Sequence, residues 1–117
     1  MENQNVNNMV KLFCYGTLQE SSVQMELIGR VVSEKIVTSI EGYIVLRDYV
    51  DPEDGIAYPR IVEHERGCVY GSIIEFSDDE IVKLDAYETE MYERKLILTN
   101  CGELVQVYMP ANKEIVD

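Results

Sequence analysis

Two places in the sequence carry groups that could do chemistry. The first is Leu12-Phe13-Cys14-Tyr15-Gly16-Thr17-Leu18, where an apolar run breaks at Gly16 and gives way to a polar segment that reads as helical. A strand that ends in a glycine turn and opens a helix leaves backbone N–H groups without partners, and such a turn is suited to holding an anion. The second is Glu88. It lies four residues after Leu84 and seven after Ile81, on the inward stripe of an amphipathic helix. A carboxylate on a core-facing stripe is costly unless it is paired or sits in a pocket. Desolvation there raises its pKa and makes it a better base near neutral pH. From spacing alone, a helix-end glutamate reaching back to water is the plainer reading, and Tyr87 competes for the same stripe. Tyr87 and Tyr92 fit a pocket wall or a core equally well.

The remaining chemistry-bearing residues exclude more than they suggest. His64 is the only histidine, which removes the usual Ser/His and Cys/His nucleophile pairs and reads as a surface residue. Cys14, Cys68 and Cys101 lack metal-ligand spacing and are expected to be free thiols of a reducing cytoplasm. Cys14 adjoins the turn and is a second candidate nucleophile. No basic residue nearby in sequence would lower its pKa, and strand alternation turns its side chain away from Tyr15. The loop from Arg47 to Ala57 holds Asp48, Asp51 and Asp54, but their spacing departs from the helix–loop–helix calcium pattern. No metal and no cofactor is expected.

The chain has 117 residues, 46% of them apolar, which suits one domain with a small core. With 22 acidic and 10 basic residues its formal charge is −12. There is no Lys/Arg cluster, so neither nucleic acid nor an anionic membrane is expected as a partner. No apolar run reaches the length of a membrane span. The start is polar and Asn-rich, without the basic and apolar regions of a signal peptide, and the chain is expected in the cytoplasm. The domain is expected over residues 10–110, with tails at 1–9 and 111–117.

These residues must be positioned by short elements. Val10 to Tyr15 predicts a central strand. A short helix should follow, carrying Val23, Leu27 and Ile28, capped by Thr17 with Glu20 or by Ser21 or Ser22, and stopped at Gly29. Arg30 to Val37 and Ile40 to Leu46 predict two strands, the second bent at Gly42. Tyr58 to Val62 predicts a short extended piece and Glu63 to Gly67 a turn. Cys68 to Phe76 alternates as a strand with one buried face. Ser77 and Glu80 form a capping box for the helix that carries Glu88. Tyr92 to Thr99 and Glu103 to Met109 predict a hairpin around Asn100-Cys101-Gly102. Strands dominate and no βαβ repeat exists, so the expected class is α+β, a small mixed β-barrel-like sheet with a few short helices.

At this point the residues resemble a known family. Tyr15-Gly16-Thr17-Leu18 after an apolar strand, then Leu84-Asp85-x-x-Glu88 and Tyr92-x-Arg94, are similar to the gamma-glutamylcyclotransferase-like superfamily. Within it the chain resembles the gamma-glutamylamine cyclotransferase and avirulence-induced-gene-like branch. Gly29-Arg30, Tyr58-Pro59-x-Ile61-Val62, Val69-Tyr70-Gly71 and Val107-Tyr108 add to the likeness, which runs from about residue 10 to residue 109. The resemblance implies a barrel-like fold and a small-molecule gamma-glutamyl substrate. The substrate's own α-amine would attack its γ-carbonyl, giving 5-oxoproline and a free amine. Glu88 would be the general acid/base. Tyr15, Gly16, Thr17 and Leu18 would form the substrate loop, with Tyr92 and Tyr108 also binding substrate. No metal or covalent enzyme intermediate is then required. Thr89 stands where many cyclotransferases have glycine, which leaves the particular substrate open, and the acidic loop has no family counterpart. Two other readings remain: a non-catalytic binding module of the same fold, and chemistry through Cys14. The enzyme reading requires a pocket in which Glu88 faces the N–H groups of Gly16, Thr17 and Leu18.

Overall fold

The strand that precedes the glycine turn is the centre of the molecule. In the computed structural model, which describes residues 9–46, 60–88 and 91–111, β1 (Met9–Cys14) is buried on both faces. Leu12 and Cys14 join one hydrophobic cluster and Phe13 joins another. Alternation sends successive side chains to opposite faces, so a strand apolar at consecutive positions must be covered twice.

The other elements provide that cover. A single 3-10 turn at Thr17–Gln19 leads into α1 (Ser21–Ile28). Then come β2 (Ile36–Leu46), β3 (Arg60–Ser77), α2 (Asp78–Glu88), β4 (Tyr92–Leu98) and β5 (Leu104–Pro110). The five strands form one mixed sheet in the order β2-β3-β1-β5-β4. β1 runs antiparallel to β3, with Leu12 opposite Ile74, and parallel to β5, with Leu12 level with Gln106. One cluster packs Leu18, Ile81 and Leu84 from the helical segments against Leu12, Ile74, Phe76 and Tyr108. The other is built only from strand residues and their flanks, among them Phe13, Ile40, Ile61, Ile73 and Val107. Among the described residues no helix joins that cluster, and the sheet buries these residues by curling on itself. The result is the α+β, curled half-barrel architecture that the strand-rich pattern implies.

Several local expectations are met. Ser77 and Glu80 exchange capping-box hydrogen bonds, Glu80 N–H to Ser77 Oγ at 3.2 Å and Ser77 N–H to Glu80 Oε1 at 2.9 Å. Gly29 ends α1 in the left-handed conformation, donating to the Met25 carbonyl at 3.0 Å. β4 and β5 form the hairpin around Asn100-Cys101-Gly102. Gly42, at φ 93°, sits at a register shift between Glu41 and Tyr43, opposite the extra residues 64–67 of β3.

Four expectations are corrected. The Thr17–Glu20 capping box does not form. Leu18 turns into the core, and the chain tightens into a 3-10 turn with Gln19 N–H on the Gly16 carbonyl (3.1 Å) and Glu20 N–H on the Thr17 carbonyl (2.9 Å). No side chain caps α1. Arg30 to Lys35 is not strand, because Gln24 holds it on the helix side: its buried amide donates to the Leu18 carbonyl (2.8 Å) and accepts from Val32 N–H (2.9 Å). Arg30 is also pinned there by a two-pronged ion pair to Glu80. The two strands expected at Arg30 to Val37 and at Ile40 to Leu46 are therefore one strand, beginning at Ile36.

The turn expected at Glu63 to Gly67 is the middle of β3, which pairs with β2 past that point. Gly67 is required by close approach: a Cβ there would run into the Tyr43 carbonyl. Finally, Cys68 to Phe76 has two buried sides in its second half, Ile73 facing one cluster and Ile74 and Phe76 the other. At the ends, Met9 pairs with Ser77 and Ala111 N–H bonds the Met91 carbonyl (2.8 Å). The remaining tail residues, the acidic loop of 47–57, Tyr58, Pro59 and Thr89 lie outside the described residues.

Gly71 ties this frame to the glycine turn. A Cβ there would meet the Cys14 carbonyl and, at 2.9 Å, the Phe13 ring. Gly71→Ala should cost about 1–3 kcal/mol by forcing β3 away from the end of β1. Chemical denaturation measures this, and an unchanged midpoint would contradict the tight packing.

Candidate functional site

The glycine turn and the end of α2 meet over the same cavity. Its floor and one wall come from Phe13 and Cys14 at the end of β1 and from Tyr15, Gly16, Thr17 and Leu18 after it. Glu88, Tyr92 and Tyr108 complete the lining. The cavity is small, about 70 Å³, and open to solvent at its mouth. All seven residues singled out from the sequence, Glu88, Tyr15, Gly16, Thr17, Leu18, Tyr92 and Tyr108, therefore line one pocket.

Each is placed by an identifiable device. The capping box starts α2, and buried Ile81 and Leu84 set its inward stripe. Glu88 is the next inward position and is half-buried, whereas Tyr87 is 47% exposed. The competition between the two is thus decided for Glu88. In the 3-10 turn the first internal acceptor is the Gly16 carbonyl, so the N–H groups of Thr17 and Leu18 have no acceptor within the turn. A Cβ on Gly16 would meet nothing within 4 Å. Packing does not demand glycine there, and its absence of a side chain leaves the turn backbone open to close approach.

The tyrosines are held by a chain of hydrogen bonds that sequence reasoning did not anticipate. Tyr15 donates its hydroxyl to the Tyr108 carbonyl (2.9 Å), and Tyr108 donates its own to Asp85 Oδ1 (2.6 Å). Arg94 grips the same Asp85 through Nε and a terminal nitrogen, both at 2.9 Å, and reaches Gln106 Oε1 at 2.5 Å. The sequence signal for this network was present: Leu84-Asp85-x-x-Glu88 and Tyr92-x-Arg94 carried the family likeness without a role for Asp85 or Arg94.

The electrostatics follow from the lining. Among the described lining residues, Glu88 is the one carboxylate, and no Lys, Arg or His stands with it. Burial, with a smaller repulsion from Asp85, pushes the Glu88 carboxyl from about 4.5 to about 7. Burial also raises the hydroxyl pKa of Tyr15 and of Tyr108, the latter helped by its hydrogen bond to Asp85. Asp85 goes the other way. Burial works against its charge, but hydrogen bonds from Arg94 and Tyr108, and the Arg94 charge, hold it below the usual carboxylate value. Burial pushes the Cys14 thiol up to about 12, and its Sγ donates toward the Leu12 carbonyl. A thiol that stays protonated is a poor nucleophile, which counts against chemistry through Cys14. Among the described residues no His/Cys/Asp/Glu group could hold a metal ion, and no helix is long and apolar enough to cross a membrane.

The Glu88 shift has a consequence for stability. Its carboxyl holds a proton in the folded chain at pH values where the unfolded chain has lost it. The stability from the neutral buried form is full below about 4.5 and is lost as pH rises through about 7. Glu88→Gln should therefore raise stability at pH 8, on the order of 2–3 kcal/mol, and change little near pH 4.5. Denaturation of both proteins across this range measures it. An equal difference at both ends would mean Glu88 titrates as an exposed side chain.

Comparison with known proteins gives a consistent picture. The sequence model of the family described as gamma-glutamyl cyclotransferase, AIG2-like, matches residues 12–116. AIG2-like protein C of Arabidopsis thaliana is 34% identical over 112 residues, covering 91% of this chain. The chain spans 62% of that relative's length. A solution structure of another Arabidopsis thaliana protein is 28% identical, with a TM-score of 0.74, covering 92% of this chain and 72% of that one. A solved gamma-glutamyl cyclotransferase superposes with a TM-score of 0.62 over 91% of this chain and 69% of its own. At 13% identity that likeness speaks for the fold alone.

Proposed function

Because the chain belongs to the gamma-glutamyl cyclotransferase, AIG2-like family, we propose that it cyclises gamma-glutamyl amines or amides, with Glu88 as general acid/base. The observation that supports this most strongly is the protonatable carboxyl of Glu88 lying across one pocket from the turn at Tyr15-Gly16-Thr17-Leu18.

The chemistry needs little machinery. At neutral pH the substrate's α-amine is an ammonium ion and has no lone pair. Glu88 takes one of its protons, and a carboxyl that titrates near 7 is a competent base for this. The freed amine attacks the substrate's own γ-carbonyl carbon. A C–N bond closes the five-membered ring and the bond to the leaving amine breaks; the ring nitrogen sheds two protons in all, and Glu88 passes both in turn to the departing nitrogen, which leaves as an ammonium. The products are 5-oxoproline and an amine, with no water consumed.

Since nucleophile and electrophile belong to one molecule, the pocket's task is to fold the substrate into a near-attack shape. Tyr15, Tyr92 and Tyr108 wall the space in which the glutamyl chain would bend. The substrate's α-carboxylate meets no cationic side chain in the described lining. It would be held by backbone donors of Gly16, Thr17 and Leu18, where the missing side chain of Gly16 leaves room. An uncompensated cation in this pocket would lower the Glu88 pKa and weaken the base, so neutral dipoles suit both tasks.

The test is release of 5-oxoproline from a panel of gamma-glutamyl amines, gamma-glutamyl amino acids and gamma-glutamyl-lysine isopeptides. At least one should be turned over, with kcat/KM rising through about pH 7 as Glu88 ionises. Glu88→Gln should lose about 10²–10⁴-fold in kcat while still binding substrate. Ligand-dependent thermal stabilisation with no product from any compound would mean a binding module instead.

A further inference from the structure

The assignment of Glu88 leaves Asp85 and Arg94 without a role. Asp85 is one helical turn before Glu88 in α2, close enough for their side chains to be neighbours on the helix surface. It does not line the pocket, yet three pocket-related groups depend on it. Tyr108 donates to its Oδ1, Arg94 grips both of its oxygens, and through the Tyr108 carbonyl the chain reaches the hydroxyl of Tyr15. α2 has no basic residue in its last turn. The cation that faces that end of the helix is Arg94, delivered from β4 and braced by Gln106 of β5. The last turn of α2 is in this way fastened to the β4–β5 hairpin through one carboxylate.

We propose that Asp85 is a positioning residue for the reaction: a carboxylate clamped by Arg94, one turn before Glu88 on α2, that sets the charge beside Glu88 and holds the Tyr108 ring on the pocket wall. The proposal rests on Glu88 being the acid/base, but its signature does not depend on which substrate is used.

The arrangement separates charge from cavity. The positive charge that would stabilise an ionised Glu88 is spent on Asp85 and kept outside the lining. The charge that reaches Glu88 along its own helix is negative, and it adds to the effect of burial. The other groups facing Glu88 are Cys14 and Tyr15 beside β1, Tyr92 of β4 and Tyr108 of β5. Burial raises the pKa values of Cys14, Tyr15 and Tyr108, so these three stay neutral near pH 7. Among the described residues, the Asp85–Arg94 pair is the charged element that adjoins Glu88 on α2. Asp85 keeps 42% of its side chain exposed, so solvent weakens its influence without removing it.

The experiment follows the Glu88 carboxyl directly, by carbon NMR titration of the glutamate-labelled protein, in the wild type and in two variants. Asp85→Asn retains an acceptor for Tyr108 but removes the negative charge and frees the Arg94 cation. The Glu88 midpoint should fall by about 0.5–1 pH unit, the effect of a unit charge roughly 6 Å away in a solvent-facing site. Arg94→Gln leaves the Asp85 charge unneutralised, and the midpoint should rise. Where turnover is measurable, the acid limb of kcat should move with the midpoint in each variant. Opposite shifts are the signature, because a merely structural role would loosen the pocket in both variants and move Glu88 the same way, toward the ordinary value. Unmoved midpoints, or shifts of one sign in both, overturn the proposal. Absence of turnover with every gamma-glutamyl compound would count against the enzyme reading alone, since the titration is read without substrate.

Discussion

A carboxyl group held in a cavity whose described lining offers it no cation is the condition on which the rest of this molecule turns. Removing a carboxylate from water is expensive, and proteins normally answer with a nearby positive charge or with several hydrogen-bond donors. Here Arg94, the guanidinium held against the last turn of α2, is engaged by Asp85 and Gln106. Glu88 is left to hold its proton to about neutral pH. A group in that state can both accept and donate a proton under ordinary conditions, which is what an intramolecular acyl transfer with a poor leaving group asks of an enzyme.

The fold supplies the opposing surface. β1 is buried on both faces over Leu12, Phe13 and Cys14, so its end is packed from both sides. Gly71 lets β3 pass tightly beneath Cys14, and Leu18 is drawn into the core just beyond the turn. The segment between them, Tyr15-Gly16-Thr17, is thus fixed at both sides while its own backbone faces the pocket. The helix bearing Glu88 is fixed by a capping box at its start, by Ile81 and Leu84 along its stripe, and by Asp85 near its end. Rigid placement of both walls is what a reaction governed by substrate conformation requires.

Much of this was legible in the residues. The apolar run into Gly16, the Ser77–Glu80 box, the Ile81/Leu84/Glu88 stripe and the hairpin around Gly102 depend on local spacing, and local spacing is what a sequence displays. The misreadings share one cause, tertiary contacts that outweigh local preference. Gly67 reads as a turn residue, yet it serves the crossing of β3 over Tyr43. Val31 and Val32 read as strand, yet a buried amide on Gln24 captures Val32. Thr17 reads as a cap, yet burying Leu18 tightens the chain before a cap can form. The Asp85–Arg94–Tyr108 chain was out of reach because its members come from three separate elements. Spacing could single out Glu88 but not the neighbour that tunes it.

The central claim is that a small carboxylate-bearing molecule sits between Glu88 and the turn after β1. The most direct measurement is the change in backbone amide NMR signals as 5-oxoproline, the expected product, is added. The account predicts that the amides of Gly16, Thr17 and Leu18 respond most, and together. Saturable binding that leaves these amides still while perturbing another part of the chain would contradict it.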